Sequence, residues 1–373
     1  MAKLTRLELH GFKSVDGEGQ SIDVGDVTVL LGANGAGKSN LVSFLRMLSC
    51  MRAGELQNYV ANQGFADSLL YFGSKMTTEI SARLQFEDEH AKDEYAFILR
   101  RDTTNRLFFE NETVTRRTAD QQEPFVHRLG GGSKESQLID WIKTGDGVCG
   151  DLLSLLSMFK VFQFHDTSAT AKIRAESYID DARFFRNDGG NLAAFLRGIK
   201  NRSGGERYYE RIIRHIRQMV PQFGDFDLQT LSDNNKYVRL NWREKGSEYL
   251  FGPHQLSDGS LRFMALATLF LSPPDMRPSV IVVDEPELGL HPSAIAALAS
   301  MVKMAAVQSQ VILATQSPRL VDEFAADQIV IVERDTAKPR SIFRRIEPAA
   351  LSEWLDHYCL SELWEKNVLG GQP

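Results

Sequence analysis

A glycine-rich loop that ends in a lysine and a serine carries the clearest chemistry in this 373-residue sequence. Residues 32–39 read Gly-Ala-Asn-Gly-Ala-Gly-Lys-Ser, between an apolar run at 27–31 and a segment typical of a helix. Such glycines let backbone N–H groups close on phosphate oxygens. We therefore expect Lys38 to reach the β and γ phosphates of a nucleoside triphosphate and the Ser39 hydroxyl to hold Mg²⁺. The predicted phosphate-binding residues are Asn34, Gly35, Ala36, Gly37, Lys38, Ser39 and Asn40.

A second stretch, residues 279–287, ends an apolar run with acidic side chains. Four β-branched residues without polar alternation, 280–283, predict a buried parallel strand, and ligands bind at the carboxyl end of such strands. We expect Asp284 to hold the Mg²⁺ shell through water. Glu285 would accept a proton from, or orient, the water that attacks the γ-phosphoryl group. The alternative is a strand followed by an exposed acidic turn.

Between these stretches, residues 256–260 read Leu-Ser-Asp-Gly-Ser, which resembles the Leu-Ser-Gly-Gly-Gln signature of ATP-binding-cassette ATPases. Asp258 and Ser260 depart from that pattern. Ser257 and the Gly259 amide precede a predicted helix, 261–271, whose dipole favours a phosphate. The resemblance implies that this phosphate belongs to an ATP held by another subunit. The alternative is an ordinary helix cap formed by Ser257 or Asp258.

The resemblance assigns two further positions near the acidic stretch. Residues 288–292 fall where cassette ATPases carry the loop that crosses the dimer interface; the alternative is a helix-entry turn before Pro292. Gln316 follows a predicted strand where cassette transporters usually place a histidine that contacts the γ-phosphate. A glutamine amide can donate to phosphate but cannot take up a proton near neutral pH, so slow turnover is expected.

Two positions outside these motifs also match the family. Gln163, after the run 161–162, resembles a glutamine that ligates Mg²⁺, although His165 and Asp166 are equally polar and equally near the strand end. Lys13, after an N-terminal strand, resembles a basic residue that touches the nucleotide phosphate; the alternative is a solvated surface lysine.

The length of the segment between Lys38 and Ser257 indicates which branch of these ATPases the chain resembles. It exceeds what a compact transporter ATPase needs, yet it lacks the sustained heptads of long coiled coils. The chain thus resembles the coil-free, RecF-like branch of the RecF/SMC-like ATPases, and more narrowly a bacterial group that includes ATPase subunits of Septu-type and retron-linked anti-phage systems. The stretches that carry this narrower resemblance are 7–14, 162–168, 284–292, Leu363-Trp364 and Gly370-Gly371.

This resemblance implies an α/β fold, an ABC-type P-loop ATPase head with an antiparallel β-subdomain and a helical signature lobe. Alternating apolar residues at 79–86, 95–99 and 106–109 predict the antiparallel sheet. The glycines at 130–132 indicate a flexible joint, residues 133–158 helices, and residues 179–220 a helical lobe. We expect three parts: residues 1–130, 131–275 and 276–373.

Composition excludes several classes of protein. No apolar run approaches the length that spans a bilayer, and the alternating N-terminus offers no signal-peptide core, so we expect a cytoplasmic protein without membrane contact. Three dispersed cysteines give neither a full disulfide framework nor a metal-ligand spacing.

Residues 183–217 concentrate positive charge in a chain of net charge −6. They could track a nucleic-acid backbone, with Tyr208 and Tyr209 adding stacking, or form a solvated helix face. The basic side chains are Arg183, Arg186, Arg197, Lys200, Arg202, Arg207, Arg211, Arg214 and Arg217, against the acidic Asp188, Glu206 and Glu210.

These features predict an ATPase that uses ATP and Mg²⁺ and forms a homodimer or higher homo-oligomer. The resemblance implies a separately encoded effector, with DNA as a candidate partner. The alternative is a scaffold whose ATP-dependent assembly regulates a protein effector without nucleic-acid contact. A transporter ATPase is disfavoured by the long segment and by Gln316.

Overall fold

A computed structural model describes residues 2–118, 123–143, 147–157, 159–231 and 235–371 of the chain. Met158, the end of the predicted helical segment, lies outside these residues. The strands are β1 (Lys3–His10), β2 (Gln20–Asp23), β3 (Val27–Leu31), β4 (Glu79–Glu87), β5 (Ala91–Arg101), β6 (Leu107–Thr118), β7 (Phe125–Gly130), β8 (Phe159–Phe162), β9 (Ser177–Tyr178), β10 (Phe223–Asp227), β11 (Tyr237–Val238), β12 (Asn241–Glu244), β13 (Val280–Asp284), β14 (Gln310–Thr315), β15 (Ile329–Arg334) and β16 (Ser341–Arg345). The helices are α1 (Lys38–Ala53), α2 (Leu56–Asn62), α3 (Leu138–Lys143), α4 (Gly147–Ser157), α5 (Leu192–Asn201), α6 (Glu206–Met219), α7 (Asp258–Leu271), α8 (Pro292–Ala306), α9 (Pro318–Val321), α10 (Ser352–Leu355) and α11 (Leu360–Glu365).

The chain forms two compact units. The first contains Met1–Lys160 and Ala325–Pro373, and the second contains Val161–Phe324. The boundary between them falls inside β8. The three-part division expected from the sequence stays a prediction. None of the described helices is long and apolar enough to cross a membrane.

An antiparallel sheet dominates the first unit, as the alternating sequence pattern predicted. Its strand order is β2-β1-β4-β5-β6-β7. Buried and more exposed side chains alternate along β4 and β5, so one face of the sheet packs on the core and the other meets solvent. The glycine stretch 130–133 is hydrogen-bonded back to β6, since Gly132 N–H donates to Phe109 O at 2.6 Å and Phe109 N–H donates to Ser133 O at 2.8 Å. It is therefore a bonded turn, whereas the sequence indicated a flexible joint.

Helix α1 packs on the buried face of this sheet. The Phe44 ring contacts the rings of Phe12 and Phe97, with centroids 5.5 and 6.5 Å apart. The helix ends at Ala53, because Gly54 adopts a left-handed conformation at φ 70° and donates to carbonyls of the last turn. The packing fixes the helix whose first residue is Lys38.

The first unit also contains a short mixed sheet. Strand β15 pairs parallel with β3 and antiparallel with β16. All five residues of β3 are buried, as the apolar run predicted. The phosphate loop continues directly from this strand.

In the second unit, β13 and β14 form a parallel pair with every residue buried. This confirms the strand predictions at both places. Helix α7 is buried along its length from residue 261 to 271, because its residues there are nearly all apolar. Asp284 and Glu285 therefore stand at the end of a buried strand.

The predicted helical lobe at 179–220 is helical only in part. Helices α5 and α6 cover its later two-thirds, whereas residues 179–191 form turns after β9. An aromatic cluster packs beneath these turns, with the Phe185 ring 5.2 Å from Phe195 and 6.1 Å from Phe162 between centroids. Packing of these rings overrides the helical pattern in the turns.

A buried carboxyl group binds residues 136 and 137, which follow the bonded turn, to the sheet of the first unit. Glu112 is fully buried and accepts hydrogen bonds from the Tyr95 hydroxyl at 2.6 Å, the Ser136 hydroxyl at 2.5 Å and the Gln137 amide at 2.9 Å. Burial raises the pKa of this carboxyl above its ordinary value of 4.5.

This raised pKa predicts a pH dependence of stability. The folded chain holds the Glu112 proton more tightly than the unfolded chain, so the stabilising contribution is complete below the unfolded pKa and is lost as pH rises through the folded pKa. Glu112→Gln cannot ionise. The free energy of unfolding of the natural chain, measured relative to Glu112→Gln by denaturant titration from about pH 4 to pH 8, should fall with pH.

The matched control is Glu89→Gln, at an exposed turn of the same sheet. Its stability difference from the natural chain should stay flat through the pH range in which the Glu112 variant diverges. A flat difference for both variants would mean that Glu112 ionises in the folded chain as easily as in the unfolded one.

Candidate functional site

The phosphate loop lies so close to β15 and β16 that two of its residues leave no room for a side chain. A Cβ on Gly32 would lie 2.1 Å from the Val332 carbonyl oxygen, and one on Gly37 would lie 2.1 Å from the Ser341 Oγ atom. Gly37 also has φ 120°, which side chains rarely tolerate. These glycines are therefore required by the packing of the loop as well as by phosphate binding.

The polar groups of the loop are arranged for an anion. No side chain caps the N-terminus of α1, so its first N–H groups remain directed at the loop. Asn34, Gly35 and Ser39 are exposed, and a Cβ on Gly35 would meet nothing within 4 Å. Asn40 points away, since its amide donates to the Ser14 hydroxyl at 2.8 Å.

The Lys38 ammonium lies against the backbone of its own loop. Its Nζ donates to the Gly32 carbonyl at 2.6 Å and to the Ala33 carbonyl at 2.9 Å, and the residue is only 5% exposed. The charge is thus held at the loop by backbone dipoles.

Residues 369–371 form a strap that is hydrogen-bonded to the phosphate loop. Gly371 accepts from the Ala33 amide at 2.9 Å and donates its own N–H to Glu333 Oε2 at 3.0 Å. Ser341 supports the same loop by donating to the Ala36 carbonyl at 2.6 Å. Sequence reasoning noted the glycine pair only as a family likeness and missed Ser341; two consecutive glycines were the one available signal.

Asp284 stands at the end of β13 in the second unit, 6% exposed. Its Oδ2 accepts from the Gln163 amide at 3.3 Å, and its backbone carbonyl lies 3.0 Å from His165 Nε2. Asp166 instead accepts from the Ser168 hydroxyl at 2.7 Å. Gln163 thus donates to the Asp284 carboxylate, whereas His165 contacts the backbone of the same residue.

Glu285 adopts a backbone conformation that is unusual for a residue with a side chain, at φ 45°. Its N–H donates to the Ala314 carbonyl at 2.8 Å, which ties the turn to β14. The Gln316 amide reaches the Glu285 Oε1 atom at 3.5 Å. Because such conformations persist only where the surroundings hold them, the bond to β14 fixes the direction of this carboxylate.

Glu287 forms a second link between the same two turns. Its Oε1 accepts from the Thr315 hydroxyl at 2.5 Å, and Thr315 in turn accepts from the Ser317 amide at 2.9 Å. Burial raises the pKa of the Glu287 carboxyl, and the charge of Glu285 adds to that rise. Sequence reasoning missed this residue, because the third acidic position of the stretch reads equally well as part of a surface turn.

The signature-like loop, residues 256–260, contains the N-terminus of α7. Ser257 is the N-cap, accepting from the Ser260 amide at 3.1 Å, so the capping alternative is realised for Ser257 and not for Asp258. Ser257 is nevertheless exposed. A Cβ on Gly259 would lie 2.6 Å from the Gly289 carbonyl, so this position accepts only glycine without rearrangement.

The loop at 288–292 enters α8, with His291 capping the helix through its ring nitrogen and Pro292 as the first helical residue. Arg262 of α7 binds this loop by donating to the Leu288 carbonyl. The same guanidinium donates to the Phe164 carbonyl at 2.9 Å and to the His165 carbonyl at 3.1 Å. Burial lowers the pKa of Arg262, and its carbonyl partners compensate the charge.

Lys13 is half-buried in the first unit, in a left-handed backbone conformation at φ 48°. Its ammonium donates to the Ser43 hydroxyl at 2.7 Å and to the Gln63 side-chain oxygen at 3.1 Å. Burial lowers the pKa of Lys13, and the neighbouring Arg46 charge adds to that effect. Lys13 therefore bonds to groups on α1 and after α2, so it is not a fully solvated surface lysine.

Many cations in the basic segment at 183–217 have local partners. Arg186 pairs with Asp181 at 2.6 Å and Arg202 with Asp275 at 2.8 Å. Others bind carbonyls or lie over aromatic rings: Arg197, Lys200, Arg207, Arg211, Arg183 and Arg217. These contacts favour a structured, solvated helix face.

The fold and these residues together define a P-loop ATPase of the SMC-head type: an α/β ABC-type head with an antiparallel β-subdomain and a helical signature lobe. The chain resembles the SmcHead bound to the C-winged helix domain of ScpA, with a TM-score of 0.58 and 16% identity over 93% of this chain and 99% of that one. It also resembles the Smc head with an extended coiled coil, bound to the C-terminal domain of ScpA, derived from Pyrococcus furiosus, with a TM-score of 0.60 and 17% identity over 95% and 99%. For the SMC head domain from Thermotoga maritima the values are 0.50 and 18% over 92% and 99%. At this identity the likeness is one of fold.

The sequence matches, over residues 27–322, the model of the family described as "AAA domain, putative AbiEii toxin, Type IV TA system". The chain belongs to this family, because the match covers most of its length. A search of curated proteins finds no match.

The strap at 369–371 predicts an effect on nucleotide affinity. Gly371 has φ 80°, and a Cβ there would lie 2.9 Å from Ile331 Cγ2, so Gly371→Ala should displace the carbonyl that holds the Ala33 amide. Loss of one backbone hydrogen bond should weaken ATP binding roughly fivefold in a calorimetric titration.

Gly246→Ala is the matched control, because Gly246 has φ 74° and its Cβ would meet nothing within 4 Å. It places the same kind of backbone strain in the second unit, which does not contain the phosphate loop. Equal ATP affinities for the two variants would show that the strap does not support the loop.

Proposed function

We propose that the protein binds ATP with Mg²⁺, hydrolyses it, and dimerises with each nucleotide held between the phosphate loop of one subunit and the signature loop of the other. The observation that carries this proposal is the N-terminus of α7 on an SMC-type head, where Ser257 is exposed and Gly259 is half-buried. A helix N-terminus with an exposed hydroxyl offers donors to a phosphate that this copy does not itself supply.

The phosphate loop suits the triphosphate, since uncapped N–H groups, the open space at Gly35 and a buried ammonium converge on it. On binding, Lys38 exchanges the carbonyls of Gly32 and Ala33 for oxygens of the β and γ phosphates. Lys13 would approach the phosphates after releasing Ser43 and Gln63.

The residues that would hold Mg²⁺ are Ser39, Asp284 and Gln163, whose oxygen atoms are the donors that this hard cation prefers. The contact between Gln163 and Asp284 supports their joint role. When bound, Mg²⁺ would offset charge on the β and γ phosphates.

Hydrolysis would use Glu285 to orient the attacking water and accept its proton. Gln316 would hold the Glu285 carboxylate and donate to the γ-phosphate, without taking up a proton itself. Because phosphoryl transfer depends mainly on positioning, the two links between the β13 and β14 turns would set the rate.

A nucleotide shared between subunits makes assembly depend on the state of the nucleotide, and other macromolecules can read that state. We infer a DNA-associated or anti-phage defence process with a separately encoded effector. The second candidate is a scaffold that regulates a protein effector without contacting nucleic acid. The local partners of the cations at 183–217 favour this second candidate.

Replacement of the proposed general base, Glu285, should trap the ATP-bound dimer. Glu285→Gln should bind ATP but hydrolyse it slowly, because the amide cannot accept a proton from water. Mass in solution, measured by light scattering with ATP and Mg²⁺, should therefore double relative to the nucleotide-free protein.

The control is Lys38→Ala added to Glu285→Gln, which should stay monomeric because the phosphates lose their cation. A Glu285→Gln protein that is monomeric at saturating ATP would contradict the shared site. Repeating the measurement with single- and double-stranded DNA separates the two candidate functions: a dimer that retains DNA supports the first, and a dimer indifferent to DNA supports the scaffold.

A further inference from the structure

Arg174 is an almost completely buried cation, and all of its guanidinium N–H groups donate hydrogen bonds to two loops. Its side chain is 8% exposed. Nε donates to the Thr167 carbonyl at 2.8 Å. The terminal nitrogens donate to the carbonyl of Pro253, twice to that of Leu256 at 3.1 Å, and to Asp258 Oδ1 at 2.8 Å. A guanidinium has five N–H donors in a rigid plane, so every donor has an acceptor.

Four of these five bonds go to the residues that form the signature loop and its approach. A planar group bonded to successive carbonyls fixes the path of the backbone from Pro253 to Asp258, immediately before the N-terminus of α7. The exposed Ser257 lies within this fixed path. Arg174 therefore holds the residues on both sides of Ser257, and the capping bond from Ser260 holds Ser257 itself.

Asp258 replaces a glycine of the family signature, and by itself that change opposes phosphate binding. Its carboxylate is 67% exposed and lies between Ser257 and Gly259, where a phosphate is expected. The negative charge of the carboxylate would repel the negative charge of the phosphate. The ion pair with Arg174 draws the carboxylate toward a buried positive charge and offsets its field.

We propose that Arg174 is a positioning residue of the composite ATP site: it holds the signature loop and neutralises Asp258, so that Ser257 and Gly259 can receive the nucleotide of a second copy of this chain. This role rests on the proposed function. Arg174 acts through the loop, because its five N–H groups donate to Thr167, Pro253, Leu256 and Asp258.

The fifth bond extends the role to the stretch that carries Gln163. Thr167 lies four residues beyond Gln163, and Arg174 binds its carbonyl together with those of the signature loop. A displacement of Gln163 by the Mg²⁺ and phosphates of the same subunit would therefore be transmitted to the surface that meets the other subunit. This makes the acceptance of a second nucleotide dependent on occupancy of the first.

The test compares ATP-dependent dimerisation of variants made in the Glu285→Gln protein. Arg174→Ala should weaken the dimer about tenfold or more, because the loop loses its charged anchor and Asp258 faces the phosphate uncompensated. ATP affinity of the dilute, monomeric protein should fall far less than the dimer affinity, because Arg174 bonds to loops of the second unit and reaches the proposed Mg²⁺ ligand Gln163 through Thr167. Lys245→Ala, which removes an exposed cation of the same unit, should leave both quantities unaltered.

The decisive variant is the double mutant Arg174→Ala, Asp258→Gly. Removing the carboxylate should restore part of the dimer affinity lost by Arg174→Ala, since repulsion of the phosphate disappears even though the loop is still unanchored. If Arg174 did not compensate Asp258, the change Asp258→Gly would alter the dimer affinity equally with and without Arg174, so Asp258→Gly is also measured in the Glu285→Gln parent. If Arg174→Ala lacks a cooperative thermal transition, Arg174→Met, which keeps the apolar stem, takes its place in both proteins.

Two outcomes overturn the proposal and are distinguishable. An Arg174 variant that dimerises like its parent, or a double mutant no better than the single one, overturns the role of Arg174 and leaves the ATP-dependent dimer intact. A Glu285→Gln parent that stays monomeric with ATP overturns the proposed function and this role together.

Discussion

The first unit depends on the close approach between the phosphate loop and the hairpin of β15 and β16. The loop can follow this path only because Gly32 and Gly37 carry no side chain where Val332 and Ser341 lie. In return, Ser341 and the strap at 369–371 bond backbone groups of the loop that would otherwise depend on water or ligand. The loop is thus shaped before any phosphate arrives, which lowers the ordering cost of binding.

In the second unit, contacts of glutamate and arginine side chains hold the functional residues in place. Its functional residues stand on turns after the buried strands β13 and β14, and the turns are joined by contacts of Glu285 and Glu287 with residues 314–316. Two arginines then fasten the remaining loops: Arg262 binds the stretch at 164–165 and Leu288, and Arg174 binds the signature loop. Guanidinium groups suit this task, because each can bond several carbonyls in one plane.

Much of this could be predicted from the sequence. The motifs located β3, α1, β13 and α7, because glycine spacing and uninterrupted apolar runs are local signals. The roles of Arg174 and Glu287 could not be predicted, since they depend on partners distant in the chain, such as Asp258 and Thr315. The glycine stretch at 130–133 and the turns at 179–191 were misjudged for a related reason: hydrogen bonds to β6 and packing of aromatic rings outweigh local propensity there.

The position of the Lys38 ammonium has a kinetic consequence. Its two carbonyl partners belong to the same loop, so they compete with phosphate oxygens at a high effective concentration. A nucleotide must displace them, and the measured affinity is reduced by the fraction of chains in which Lys38 is still engaged. Under the proposed hydrolysis, release of phosphate would be assisted, because the two carbonyls would bind the ammonium again once the triphosphate is broken. The same two carbonyls that oppose binding of the nucleotide would then favour its departure.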